Sequence, residues 1–478
     1  MKFSIMPLLT LALLLPVTPL TAVEIAATPR ADSLPVTAAS RPQLAAVPAE
    51  LAARAYSEEE FLVSGTASLY QWGESPQQPA VATGQRQRWS LRLLVRRPQR
   101  PALASGRVIV ELLDASGGSD SAPLWNLSGA HFMRQGDVWV GLTVQRAGLA
   151  ALRRSNATRY AGLSALPAVA CAAPGTPSAS WDAIAQVGAL LRSSSRENPL
   201  AAYKVRQLLA AGRGAAAADL VTYLHSAHVQ QRLGNDEPVY DAYLLASLTQ
   251  AAAPVSDCAP ALAATDPRQQ VPAADAPVVL VMTEADVAAV PAVRLSDGDV
   301  AGAARRLYEI AAAPAGAPPA TGALALAGDS GAPCVDAPNT FPTALAVNAI
   351  WQQLQQLLHE GQPLAQAAPL QRDAGGKLQR DPRGNALGGV RLPPLSVPLL
   401  AFGTGGQARD GSAVAGRRCA LAGTQRRFDS TELKTLYGNR AAWLKTYQAA
   451  LSQAVAERWL LEPDAAVLKT QAATAPVF

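Results

Sequence analysis

The segment 206–227, RQLLAAGRGAAAADLVTYLHSA, runs from an apolar stretch through Gly212-Arg213-Gly214 straight into a helical pattern. Strand–glycine–helix turns of this kind present a nucleophile or cradle a phosphate, because the first amides of a helix have no partner within it. Two chemistries compete for the turn. As G-x-G-x-x-A, residues Gly212–Ala217 would hold the pyrophosphate of a nucleotide-dependent oxidoreductase, with Asp236 or Glu237 on the ribose. Those acids, however, fall in the loop-like RLGNDEPVY, ahead of the next strand instead of at its end. As a nucleophile elbow, normally G-x-S-x-G, the turn is well placed but has Gly214 where the nucleophile belongs. A third reading is structural: glycines permit a tight turn and close helix–strand packing.

Other candidates are weaker. AGDSGAP (327–333) resembles the G-D-S-G-G-P stretch of chymotrypsin-type proteases, with Ser330 as nucleophile and His131, in LSGAHFM, as partner. That fold is all-β, whereas helical patterns surround Ser330. His225 and His228 lie three apart on the helix after the turn, without the third ligand and acid that a helix-borne zinc pair needs. His359 ends a helical segment, where a cation suits the helix dipole. The four cysteines, Cys171, Cys258, Cys334 and Cys419, form no C-x-x-C pair and read as two disulfides with three connectivities open. No metal site and no cofactor are expected.

These residues need a scaffold. From Glu60 the chain alternates apolar and polar residues (EFLVSGTASLYQW, QRWSLRLLVRRP), as half-buried strands do. More continuous apolar runs follow, GRVIVELLD, DVWVGLTVQ, YKVRQLLAAG, VYDAYLLAS, APVVLVMTEADV and RRLYEIAAAP, interleaved with helical stretches such as WDAIAQVGALLRSS and the 343–361 helix. Strands alternating with helices predict an α/β fold with a mostly parallel sheet, whose ligands bind beyond the carboxyl ends of the strands. The 212–214 turn lies at such an end. The opening MKFSIMPLLTLALLLPVTPLTA reads as a secretory signal peptide cut after Ala22, since Pro7, Pro16 and Pro19 interrupt its apolar run. The expected organisation is a signal peptide (1–22), a flexible leader (23–55), an α/β core (56–362) and a C-terminal wrapping segment with a helical hairpin (363–478). No internal repeat stands out. Only 16% of residues are charged, and the net +5 is scattered in pairs such as Arg153-Arg154 and Arg417-Arg418. That pattern fits a solvated surface, not a nucleic-acid groove. No later segment is long and apolar enough to span a bilayer.

From Val108 onward the chain resembles a family of exported or periplasmic α/β-hydrolase-domain proteins, of serine esterase type. The likeness is carried by VELLDASGGSDSAPLW, WVGLTVQRAGLAALRR, WDAIAQVGALLRS, PVYDAYLLAS, APVVLVMTEADV, FPTALAVNAIWQQLQQLL and RDPRGNALGGVRLP, in order and at similar spacing. The resemblance implies an α/β-hydrolase fold and a secreted or periplasmic location. It places the family's serine at Gly214 and its oxyanion amide at Ala215, with further amides near Leu113 and Asp114. The triad acid falls at Glu284, or alternatively Asp286, and the histidine at Ala315 (or Pro314). Asp182, Asp241 and Glu309 match family positions and read as structural. Glycine cannot attack and alanine cannot accept a proton, so the triad mechanism lacks two of its three parts. The implied protein is a hydrolase-derived binder of a small apolar or ester-like ligand, or of a partner protein. The alternatives are an active carboxylic-ester hydrolase with a relocated nucleophile and, more distantly, the oxidoreductase.

Overall fold

In the computed structural model the described residues are 23–24, 29–35, 37, 40–44, 48–163, 175–234, 236–290, 295–300, 303–316 and 333–475. The segment expected as a signal peptide, Cys171 and Ser330 lie outside them. One ten-stranded sheet organises the rest. Its strands, in chain order, are β1 (Arg30–Leu34), β2 (Tyr56–Gln71), β3 (Val81–Pro98), β4 (Arg107–Leu112), β5 (Val138–Thr143), β6 (Gln207–Arg213), β7 (Ala242–Ala246), β8 (Val278–Thr283), β9 (Gly298–Val300) and β10 (Ala303–Ile310). Across the sheet they run β9-β10-β8-β7-β6-β4-β5-β3-β2-β1.

The six strands from β5 to β10 by way of β4, β6, β7 and β8 are parallel. They are the continuous apolar runs, buried on both faces as central parallel strands must be. Helices cover them: α1 (Pro123–Gln135), α2 (Arg146–Ser155), α3 (Ser180–Arg192), α4 (Ala215–His225), α5 (Glu284–Ala289) and α6 (Thr343–Glu360). The alternating segments form the antiparallel side, β3, β2 and β1. Here Arg96, 2% exposed, lies between the rings of Trp125 and Trp139, 4.5 Å from each centroid. Such stacking stabilises a guanidinium that burial has stripped of water.

Chain order reverses between β4 and β6. The chain goes from β4 to β5 on one side, then returns to β6 on the other and continues outward. The crevice beyond the carboxyl ends of β4 and β6 is therefore the topological switch point, where ligands of open α/β sheets bind. Asp114 follows β4 there, and Gly214 follows β6.

Three expectations need adjustment. The stretch expected as a leader supplies an edge strand, Arg30–Leu34 pairing with Ser64–Glu60; its five residues show no alternation because only Ala31 and Leu34 pack against the core, three positions apart. The C-terminal part holds three successive helices instead of a hairpin: α8 (Ser430–Tyr437), α9 (Arg440–Ala456) and α10 (Glu462–Thr474), with Gly438 at φ 74° breaking the first from the second. Before them come β11 (Leu400–Gly403), α7 (Ala413–Ala422) and β12 (Thr424–Arg427).

The third adjustment is a tandem repeat. QRDAGGKL (371–378) and QRDPRGNA (379–386) fold into two equivalent turns. In each, the aspartate Oδ1 accepts two backbone amides: Asp373 from Gly375 and Lys377, Asp381 from Arg383 and Asn385. In each, the arginine Nη1 donates to the carbonyl of the turn's glycine, Arg372 to Gly376 and Arg380 to Gly384. A disulfide, Cys334–Cys419, ties the strand-like 333–335 segment to α7. Cys258 is also disulfide-bonded.

Candidate functional site

At the end of β6 the backbone turns sharply. Gly214 has φ 62° and ψ −122°, a conformation that a side chain occupies only under strain. Gly212 is needed for contact: a Cβ there would lie 2.6 Å from the Ala216 carbonyl, because the first turn of α4 presses onto the strand. A Cβ on Gly214 would meet one group, the Asp114 carboxylate, at 2.9 Å. The turn thus has the shape of a nucleophile elbow with Asp114 leaning over its empty apex.

The amides around it are mostly occupied. Leu113 N donates to Leu142 O at 2.9 Å and Asp114 N to Ser121 O at 3.1 Å, so neither proposed oxyanion donor points into the crevice. Ala115 N donates to Gln145 Oε1, and Gln145 Nε2 donates to the wholly enclosed Asp219 of α4, both at 2.8 Å. Burial pushes the Asp219 carboxyl up to about 6. Ala215, first in its helix, keeps an amide without a helical acceptor.

Arg213, the residue before the apex, fills the space beside it. Its Nε donates to Ser247 Oγ at 3.1 Å and its Nη2 donates to the Ala315 carbonyl. Ser247 Oγ donates in turn to Asp286 Oδ2 at 2.7 Å, and Asp286 caps α5 by accepting from Thr283 N. One arginine therefore crosses from β6 over the ends of β7 and β8 to the loop after β10. Ser247 and Ala312, at φ 49° and 66°, are two of the six non-glycine residues with positive φ among the described residues; Ser247 lines the crevice, and Ala312 presents its amide to Glu284 behind it.

The acid is committed elsewhere. Glu284 is fully buried, accepts from Ala312 N at 2.7 Å and pairs with Arg380 Nη2 at 2.5 Å. The homologous arginine of the first turn, Arg372, reaches the Val287 carbonyl at 3.1 Å, so the tandem turns clasp α5 at two points. Ala315 is half-buried and Pro314 buried beside it; Gly316 N donates to Leu421 O at 2.7 Å. What remains open among Arg213, Ser247, Thr283, Pro314 and Leu124 is a cavity of about 20 Å³. That is roughly room for one water.

The chain's four histidines all lie among the described residues, and none lines this crevice. His225 ends α4, about 16 Å along the helix from the apex, with Nε2 3.0 Å from Gln270 O. His228 bridges Tyr243 OH at 2.9 Å and Asp275 at 3.0 Å. His131 is buried near the opposite end of the sheet, where burial, with Arg107 and Arg134 adding to it, depresses its pKa to about 3. His359 lies in the last turn of α6. The nucleotide reading loses its ribose ligand too: Asp236 pairs with Arg232 in the loop before β7, and Glu237 belongs to the same loop. Asp182, Asp241 and Glu309 accept the backbone amides of Ser68, Leu208 and Leu370. Sequence reasoning located the turn, but missed Arg213 as its occupant and Arg380 as the partner of Glu284. The repeated Q-R-D triplet was the one signal that could have exposed the latter.

Among the described residues no helix is long and apolar enough to cross a membrane. No curated protein matches the chain. Similar solved structures include a serine hydrolase without a lid from Xanthomonas campestris, at 12% identity, 46% of this chain, 72% of that chain and a TM-score of 0.24. A cold-adapted esterase from an Arctic intertidal metagenomic library is similar at 10% identity, 53% and 84% coverage and a TM-score of 0.26. A peroxisomal α/β-hydrolase of Saccharomyces cerevisiae is similar at 14% identity, 40% and 44% coverage and a TM-score of 0.21. The family model described as "Alpha/beta hydrolase domain" matches residues 26–470, nearly the whole length, and the chain therefore belongs to that family.

Proposed function

We propose that this protein is an exported member of the α/β-hydrolase family that binds rather than hydrolyses. The observation that carries the reading is the Arg213 bridge from Ser247 to the Ala315 carbonyl, beside an apex, Gly214, without a side chain. Serine hydrolysis needs an imidazole within hydrogen-bonding reach of a hydroxyl, and an open pocket for the acyl group. Here a guanidinium, which cannot act as a base at ordinary pH, occupies the gap between strand ends. Asp114 puts a carboxylate oxygen 2.9 Å from where a nucleophile's Cβ would stand, so it crowds the place the hydroxyl would need.

A cavity of about 20 Å³ also favours a protein partner over a small ester-like ligand, since small-molecule pockets run to roughly 300 Å³ or more. The disulfide at Cys334–Cys419 fits an oxidising compartment and so supports export. The test is intact-mass analysis of the mature protein after a fluorophosphonate probe, together with a panel of carboxylic esters. No adduct and no turnover are expected. A stoichiometric adduct would mean a working nucleophile elsewhere, and mapping its peptide would replace this reading with the active-hydrolase one.

A further inference from the structure

The helix α7 is held to the body of the protein by one face. Cys419 on that face is fully buried in its disulfide, and the Leu421 carbonyl accepts from Gly316, in the loop that follows β10. The rest of the helix is open. Val414, Arg417, Arg418 and Leu421 stand at i, i+3, i+4 and i+7, so they form one stripe along it. Val414 is 69% exposed and Leu421 53%, and Val335, beside the cross-linked Cys334, is 50% exposed.

Single exposed aliphatic residues are ordinary. Clustering is not: two of the six large hydrophobic residues that the described chain leaves exposed, Val414 and Leu421, share one face of this ten-residue helix. Between the two aliphatic ends of the stripe, Arg417 and Arg418 have no ion pair or hydrogen bond among the described residues. This contrasts with Arg92, Arg96, Arg107 and Arg159, which are paired in the sheet. The helix carries no acidic residue of its own. Ahead of the helix in sequence Asp410 holds the Ser412 amide at 2.9 Å, and the exposed Asp336 lies two residues after the cross-linked Cys334.

We propose that the α7 stripe is a docking surface for an acidic, leucine-bearing segment of a partner protein. The charge of the stripe selects carboxylates, and its aliphatic ends supply apolar anchors about two helical turns apart. A bilayer fits it less well, since surface-lying helices present broader apolar faces with aromatic residues, and this stripe has none. The inference deepens the binding reading above and rests on it. The bond to Gly316 places the partner next to the emptied histidine position.

The probe is a fluorescein-labelled synthetic helix with leucine at i, i+3 and i+7 and glutamate elsewhere, titrated with the full mature chain by anisotropy. Binding is expected to weaken as salt rises, and to fall by about tenfold or more in Arg417→Glu/Arg418→Glu and in Val414→Ser/Leu421→Ser. Arg86→Glu/Arg88→Glu, on the far end of the exposed β2–β3 hairpin, should leave it unchanged. Absence of binding, or binding indifferent to the α7 variants, overturns the proposal. So does an α7-dependent attachment to vesicles of phosphatidylcholine and phosphatidylglycerol with the peptide silent, which would assign the surface to membranes. Sedimentation showing α7-dependent self-association would assign it to a second copy and overturn it likewise. A fluorophosphonate adduct with peptide binding intact would remove only the non-hydrolytic reading.

Discussion

Glu284 and Arg380, 96 residues apart in the chain, pair at 2.5 Å, with the carboxylate wholly enclosed. The pair turns the position expected for a triad acid into the anchor of the tandem turns. The arginine is one-third exposed, so its removal should cost less than the roughly 3 kcal/mol of a fully buried pair, yet it leaves an enclosed carboxylate without its counter-charge. Arg380→Gln should therefore lower the urea midpoint far more than Arg372→Gln, whose arginine meets only the Val287 carbonyl. Equal losses for the two variants would contradict this account of the clasp.

Gly214→Ser alone should not label with a fluorophosphonate. The new side chain displaces the Asp114 carboxylate but finds no imidazole. The combination Asp114→Gly, Gly214→Ser, Ala315→His should label slowly, since it clears the apex and supplies a base. If the triple variant folds and stays inert, the placement of the histidine at Ala315 is wrong.

Two enclosed carboxyls give the stability an unusual pH slope. Burial raises Glu111 from 4.5 to about 7, although it accepts Leu124 N, Trp125 N and Trp139 Nε1. Asp219 is raised from 3.8 to about 6. For a group raised on folding, the stabilisation is complete below the unfolded value and is lost as pH climbs through the folded one. Both carboxyls should pull the melting temperature down between about pH 5 and 7, against the buried His131 and His225, whose depressed pKa values add stability as pH rises toward the free histidine value. Relative to the parent, Glu111→Gln should therefore gain melting temperature as pH approaches 7, and a difference between the two that does not change with pH would refute it.

Cutting the Cys334–Cys419 link by a Cys334→Ser/Cys419→Ser change releases a chain segment with a sequence separation of 85 residues. Chain entropy alone predicts a loss of about 4 kcal/mol, with real values often lower. Hydrogen exchange should show α7 and the Gly316 amide losing protection first, because they are joined through Leu421. Uniform loss across the sheet would mean that the link stabilises the whole fold and not this corner.

The sheet was legible where burial writes itself into the residues. VVLVM and LLAA could only be central strands, and the glycines after LLAA marked the turn. Arg30–Leu34 was illegible because a five-residue edge strand that packs only Ala31 and Leu34 against the core, three positions apart, leaves no two-residue period. The bare apex at Gly214 could be read because it is a single residue at the turn itself. The arginines of the site could not. Arg213 acts across two neighbouring strands, and Arg380 reaches Glu284 through a turn whose repeat is only eight residues long, so both depend on distances that no local pattern encodes.

The covalent link at Cys334–Cys419 also changes what a protease can do. The exposed turns at Gly375–Lys377 and the 404–411 stretch are natural cutting sites, and both lie inside the closed ring. A nick at either would yield a two-chain molecule that still migrates as one under non-reducing conditions and separates only when the thiols are restored. The C-terminal helices would stay attached to the sheet through sulfur, so a single cut there would leave the molecule in one piece.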